Sequence, residues 1–177
     1  SVVKELMENS VDAGSRTITV NYKDGGRSLI QVVDDGCGMS ETDARLAFER
    51  HATSKIRRAE DLYQLASFGF RGEALPSVAS VAEVELRTRT ADQEIGTQVV
   101  IHGGRFVSQE PVQTAVGTQF LVKNLFYNTP ARRRFLKEAN VEGRHIRSEF
   151  LRVALCNPEV AFSLYDNDVL IATLPAS

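Results

Sequence analysis

RTITVNYKDGGRSLIQVVDDGCGM, residues 16–39, holds two apolar–polar alternations, at 16–22 and 28–33. Asp24-Gly25-Gly26 lies between them and supplies residues that tolerate positive φ, so the pair reads as a β-hairpin. The second alternation runs into Asp34-Asp35 and a glycine-rich loop over 34–39. On the amino-terminal side, Val2, Val3, Leu6, Met7 and Ala13 recur at helical spacing over 1–13, and Gly14 ends the run. On the other side Ser40 reads as an N-cap with Asp43 three residues on, opening a helix through about Arg50.

Beyond this unit, 51–73 is polar, basic and irregular, with one short helical piece near 59–66. Pro76 suits the first turn of another helix. Strand patterns follow at 84–90, 98–101, 104–108 and 118–124, with His102-Gly103-Gly104 supplying a turn. Residues 131–156 read as a basic amphipathic helix or helix pair. Two last strands, 160–166 and 168–174, turn at Asp166-Asn167-Asp168. That order predicts an α+β, two-layer sandwich: a mostly antiparallel or mixed sheet with helices on one face.

With 177 residues, 42% hydrophobic and 25% charged, the chain matches one globular domain. A formal net charge of −2 gives no global attraction to nucleic acid or membrane, so any such binding must come from a local patch. Cys37 and Cys156 form no metal-ligand pair or disulfide framework, and a reducing, cytosolic setting is the simplest reading. No apolar run approaches a spanning helix. The chain lacks an initiator Met and opens directly on a helix, so it is expected to be a trimmed piece of a longer protein.

Four stretches carry chemistry. Glu5 and Asn9, at i and i+4, share a helix face. A carboxylate there can orient or deprotonate a water attacking a phosphate, and an Asn carbonyl is a hard-oxygen ligand for Mg²⁺. A solvated polar face is the alternative. In Val32–Met39 a strand ends in Asp34, whose carboxylate can accept from an adenine amino group, while Gly36 and Gly38 admit backbone close to a flat ring. An acidic turn or a divalent-ion loop is the alternative, and the spacing is no dinucleotide fingerprint. Phe68-Gly69-Phe70-Arg71-Gly72-Glu73-Ala74-Leu75-Pro76 runs into a helix N-terminus, where backbone N–H groups make an anion site. Upstream, Thr53, Ser54 and Lys55 offer hydroxyls and an ammonium. The alternative is a surface loop before a capped helix. Finally, Arg132, Arg133 and Arg134, with Lys137, Arg144, Arg147 and Arg152, can neutralise DNA phosphates without reading bases. Pairing of those arginines with Glu138, Glu142 and Glu149 is an equal alternative. His51, His102 and His145 show no ligand spacing.

In this order the motifs resemble the ATPase family of gyrases, chaperones, histidine kinases and MutL, a Bergerat-type fold. Lys4–Gly14, Arg50–Lys55, Gly69–Leu75 and Phe126–Arg132 are closely similar to its mismatch-repair branch, and the Gly69–Leu75 heptapeptide is specific to that branch. The resemblance implies Glu5 as general base and Asn9 as Mg²⁺ ligand. It implies Asp34 on the adenine amino group, Gly38 close to the base and Thr118 near both. Thr53, Ser54 and Lys55 would line the nucleotide site, and Arg71, Gly72, Glu73, Ala74 and Leu75 would wrap the phosphates through backbone. It further implies ATP and Mg²⁺ as cofactors, ATP-driven homodimerisation, weak backbone-directed DNA binding, and relay from a mismatch-recognition protein to strand-incision machinery. The compartment would be cytoplasmic in a bacterium and nuclear in a eukaryote. Asp35 stands where the family often has Asn, which is tolerable if its side chain faces away from adenine. A pairing segment before Ser1 and a following, lysine-supplying domain are missing, so this piece is expected to hydrolyse ATP poorly and remain monomeric. A topoisomerase or chaperone relative, and a non-catalytic DNA-binding scaffold, are the competing readings.

Overall fold

The structure, a computed structural model, describes residues 1–49 and 74–177. Helix α1 spans Val2–Asp12, and the Ser1 side chain caps it by accepting from Lys4 N. Strands β1 (Thr17–Lys23) and β2 (Leu29–Asp34) form the expected hairpin, joined through a 3-10 turn at Asp24–Gly26. Helix α2 (Glu41–Leu46) starts at Ser40, whose hydroxyl accepts from Asp43 N. It ends short of the expected Arg50, and Phe48 packs edge-on to Phe120 at 6.3 Å. The helical piece expected near 59–66 lies outside the described residues.

Helix α3 (Ala74–Ser80) leads into strands β3 (Glu83–Arg89), β4 (Gly96–His102), β5 (Arg105–Val112) and β6 (Gly117–Lys123). Strand β5 is longer than its apolar pattern, reaching past Pro111. An edge strand tolerates a residue without an N–H. The basic segment is a helix pair, α4 (Pro130–Arg134) and α5 (Ala139–Cys156), followed by β7 (Ala161–Asp166) and β8 (Val169–Leu174).

The strands form one eight-stranded sheet in the order β5-β4-β3-β6-β2-β1-β7-β8. Among the described residues only β1 and β7 pair in parallel, because the chain returns over the sheet through α5 before adding β7. Buried residues form rows across the strands. Val99, Leu86, Phe120, Val32, Val20 and Leu164 are in register from β4 to β7. Each such buried side chain contributes about 1.5–3 kcal/mol. Val3, Leu6 and Met7 of α1, Ile146, Phe150 and Val153 of α5, and Leu75 and Ala79 of α3 complete the core over that face. The reverse face is polar, with Lys123 Nζ 3.1 Å from Glu85 Oε1 and Arg87 3.6 Å from Glu85. The expected sandwich, helices on one side of a mostly antiparallel sheet, is the architecture observed.

One row breaks the apolar pattern. Thr97, Thr88, Thr118 and Asp34 lie side by side on β4, β3, β6 and β2, all buried, on the same face as the core. Burying four polar side chains in a line is costly unless they are bonded to one another or held for a ligand. That row floors the candidate site.

Candidate functional site

The second half of α1 crosses the polar row. Asn9, Ser10, Ala13, Asp34, Met39, Leu75, Thr118 and Phe120 line a narrow hollow of about 10 Å³. This is far below the ~300–1,000 Å³ of ordinary small-molecule sites. A larger hollow of about 350 Å³ lies near the start of α1, lined by Val2, Ile30, Leu125 and Leu136 together with Arg27, Glu142, His145 and Glu149, none of them a buried polar side chain. Volume therefore does not choose the site; the polar groups do.

Asp34 ends β2 and is 8% exposed. Its Oδ1 accepts from Gly36 N at 2.9 Å and from Thr118 N at 3.1 Å. Burial pushes its carboxyl above the usual carboxylate range, opposed by hydrogen bonds from Ser10, Gly36, Thr118 and Ser15. The neighbouring Asp35 turns the other way. Its Oδ1 accepts from Arg16 N at 2.8 Å and Thr17 N at 2.9 Å, fastening the start of β1. Either Asp or Asn can do that with one oxygen.

Asn9 does not lie on a solvated helix face: it is 6% exposed, at the rim of the buried arc of α1. Neither its Oδ1 nor its Nδ2 has a hydrogen-bond partner among the described residues. An orphaned buried amide costs about 1–3 kcal/mol and calls for a ligand. Its Oδ1 is a donor atom of the type Mg²⁺ prefers. Glu5, one turn earlier, is half-buried and is not among the residues lining the hollow. Asn9 and Asp34 thus share one hollow, with Glu5 one turn away on the same helix. The Glu5 carboxylate makes no ion pair or hydrogen bond among the described residues, whereas Glu8 lies 3.8 Å from Lys4.

The loop glycines also answer to the protein's own backbone. A Cβ on Gly36 would lie 2.8 Å from Ala13 O. Gly38, at φ +72°, would place one 1.9 Å from Arg89 O, so no side chain fits there. Cys37 N donates to Ala13 O at 3.0 Å, tying the loop to the end of α1.

Ala74 opens α3, and Leu75 lines the hollow. Thr53, Ser54, Lys55, Arg71, Gly72 and Glu73 lie outside the described residues. In the basic segment Arg132 and Arg134 are exposed, with the Arg132 guanidinium 4.8 Å from the Phe126 ring centroid. Arg133 instead donates through Nη1 to Leu125 O at 2.6 Å. Arg147 is likewise committed, donating to the Tyr22 hydroxyl at 3.0 Å. Arg152 is 3.8 Å from Glu149.

Sequence reading missed Thr88, Ser10 and Met39. The signal for Thr88 was its parity with Val84 and Leu86 on β3: an inward-facing hydroxyl at the end of an apolar series.

The family described as histidine kinase-, DNA gyrase B-, and HSP90-like ATPase matches residues 1–124. The chain is 60% identical over 177 residues, all of its length, to the DNA mismatch repair protein MutL of Parabacteroides distasonis, covering 29% of that protein. To the MutL of Bacteroides fragilis it is 57% identical over 176 residues, covering 99% of the chain and 28% of that protein. It therefore spans under a third of the length of these curated relatives. Among solved structures, the Aquifex aeolicus MutL ATPase domain complexed with ADP superposes with a TM-score of 0.79 at 32% identity, covering 99% of this chain and 62% of that one. With the fold, the buried Asp34 and the matched segment all in agreement, the chain belongs to the histidine kinase-, DNA gyrase B- and HSP90-like ATPase family, and it resembles MutL members over its entire length.

Proposed function

We propose that the chain is the nucleotide-binding part of an ATP-hydrolysing switch in DNA mismatch repair. The observation that carries this reading is the pairing, across one hollow, of a buried acceptor, Asp34, with an orphaned amide, Asn9. Asp34 receives the adenine amino group, with Gly38 and Thr118 beside it. Asn9 holds Mg²⁺, which when bound neutralises phosphate charge. Glu5, whose carboxylate has no hydrogen-bond or ion-pair partner among the described residues, orients and deprotonates the attacking water. Thr53, Ser54, Lys55 and the backbone of Arg71–Leu75 complete the phosphate side. The ADP complex of the Aquifex relative supports a nucleotide as the ligand. The test is calorimetric titration of a non-hydrolysable ATP analogue, with Asp34 as the position varied.

In the intact protein, ATP brings two copies together and relays a mismatch signal to strand incision. An unchanged sedimentation coefficient of the intact protein on adding the analogue would remove the pairing half of this reading. DNA meets the basic segment through phosphates alone. Replacing Arg132 and Arg134 with Glu weakens binding to all DNA sequences alike and lowers the log K against log salt slope by about 0.9 per lost phosphate contact. Arg133 is left intact because its guanidinium braces Leu125 O. A slope equal to wild type would make these arginines ordinary solvated groups.

A further inference from the structure

The nucleotide reading leaves Thr88 without a role, yet it is fully buried and makes three polar contacts. Its Oγ1 accepts from Met39 N at 2.8 Å, donates to Gly117 O at 2.9 Å, and lies 3.0 Å from Thr118 Oγ1. A hydroxyl has one hydrogen to give. The Gly117 carbonyl can only accept, so it takes the Thr88 hydrogen, and the hydrogen between the two threonines must come from Thr118. Thr118, which lines the hollow, thus spends its only hydroxyl hydrogen inward.

We propose that Thr88 is a positioning residue that makes the base end of the site accept hydrogen bonds only. It touches no ligand itself, since it does not line the hollow. It acts by fixing the Thr118 hydroxyl and by anchoring Met39, another lining residue. Asp34 and Thr118 are cross-strand partners, so two acceptors stand side by side. A single amino group carries two hydrogens and can serve both; a carbonyl oxygen in its place, itself an acceptor, meets two acceptors and is rejected. The site therefore selects a 6-amino purine over a 6-oxo purine, and Thr88 sets that selectivity from behind. This inference rests on the nucleotide assignment above and deepens it.

The experiment measures affinities of the intact protein for ATP and inosine triphosphate, in the presence of Mg²⁺ and with Glu5→Ala to prevent turnover. The parent prefers ATP. Thr88→Val frees the Thr118 hydroxyl to donate to a 6-oxo group, so the ATP-to-inosine-triphosphate affinity ratio falls at least about fivefold, mainly through tighter inosine triphosphate binding. Thr88→Ser keeps the hydroxyl and keeps the parental ratio. The ratio is insensitive to a loss of folded protein that lowers both affinities together. Equal loss of both nucleotides in Thr88→Val, or a Thr88→Ser ratio that falls as in Thr88→Val, overturns the inference and leaves Thr88 a packing residue. A parent that binds both nucleotides equally also overturns it while leaving a nucleotide site. A parent that binds neither overturns the site assignment itself. Should Thr88→Val not fold, Thr118→Val asks the same question: losing one of the two acceptors must lower the ratio, and an unchanged ratio ends the proposal.

Discussion

Asp34→Ala is expected to lower affinity for a non-hydrolysable ATP analogue by about 100- to 1,000-fold, roughly 3–4 kcal/mol. The substitution removes a buried, charge-assisted acceptor for the ligand. It also strands the Gly36 and Thr118 N–H groups, which now share Oδ1 at 2.9 and 3.1 Å. Asp34→Asn keeps one oxygen for those two donors and separates the effects: it should retain the fold and still lose most binding. The pH dependence follows from burial, which raises the Asp34 pKa against the donors around it. A carboxyl whose folded pKa is raised takes up its proton in the native state first. The cost of keeping it ionised is therefore fully present above the folded pKa and is relieved as pH falls toward the unfolded value. Ligand binding runs the other way, since it needs the ionised acceptor. Affinity should fall as pH drops through the raised pKa, while this group's contribution to folding improves. Calorimetry across that range checks both, and an Asp34→Ala protein that titrates like wild type would remove the adenine assignment.

Glu5→Ala is expected to cut ATP turnover by the intact protein about 10²- to 10⁴-fold while leaving analogue affinity within about threefold. Glu5 is half-buried one helical turn before Asn9, and Asn9 already lines the hollow. Its carboxylate is not spent on an ion pair among the described residues, unlike the neighbouring Glu8. A general base must not be tied up in an ion pair, and among the described residues Glu5 is in none. Single-turnover rates with matched binding curves make the measurement. Loss of affinity in step with rate would make Glu5 a binding residue and leave hydrolysis without a base. A scaffold with a vestigial nucleotide site predicts no turnover in the wild type either, so the same assay separates that reading. The family match also leaves room for a topoisomerase or chaperone relative, but the whole-chain similarity is to MutL proteins.

Local pattern alone carried the secondary structure, because alternation and helical spacing reflect which side of each element is dry. The hairpin at 16–34, the Ser40 cap and the turn at Asp166–Asp168 were legible as residue chemistry. Misjudged lengths came from contacts that the local sequence does not carry. Helix α2 stops where Phe48 turns onto Phe120, and β5 continues past Pro111 because it sits on an edge. The site was half legible. Asp34 stood out because a carboxylate ends an apolar strand. Thr88 carried only the weak signal of its parity with Val84 and Leu86, and its cross-strand partners are what mark it out.

By itself the sequence determined the fold class, the family and the chemical kinds at the site: a carboxylate after a strand, a carboxamide one turn beyond a carboxylate, glycines where no Cβ fits. Register, which pairs residues far apart in the chain, was decided only in three dimensions. It sets Thr97, Thr88, Thr118 and Asp34 in one buried row, buries Asn9 without a partner among the described residues, and commits Arg133 and Arg147 to the scaffold. The physical reason is that a polar group's role depends on which donors and acceptors remain unpaired around it, and those partners come from other strands and helices.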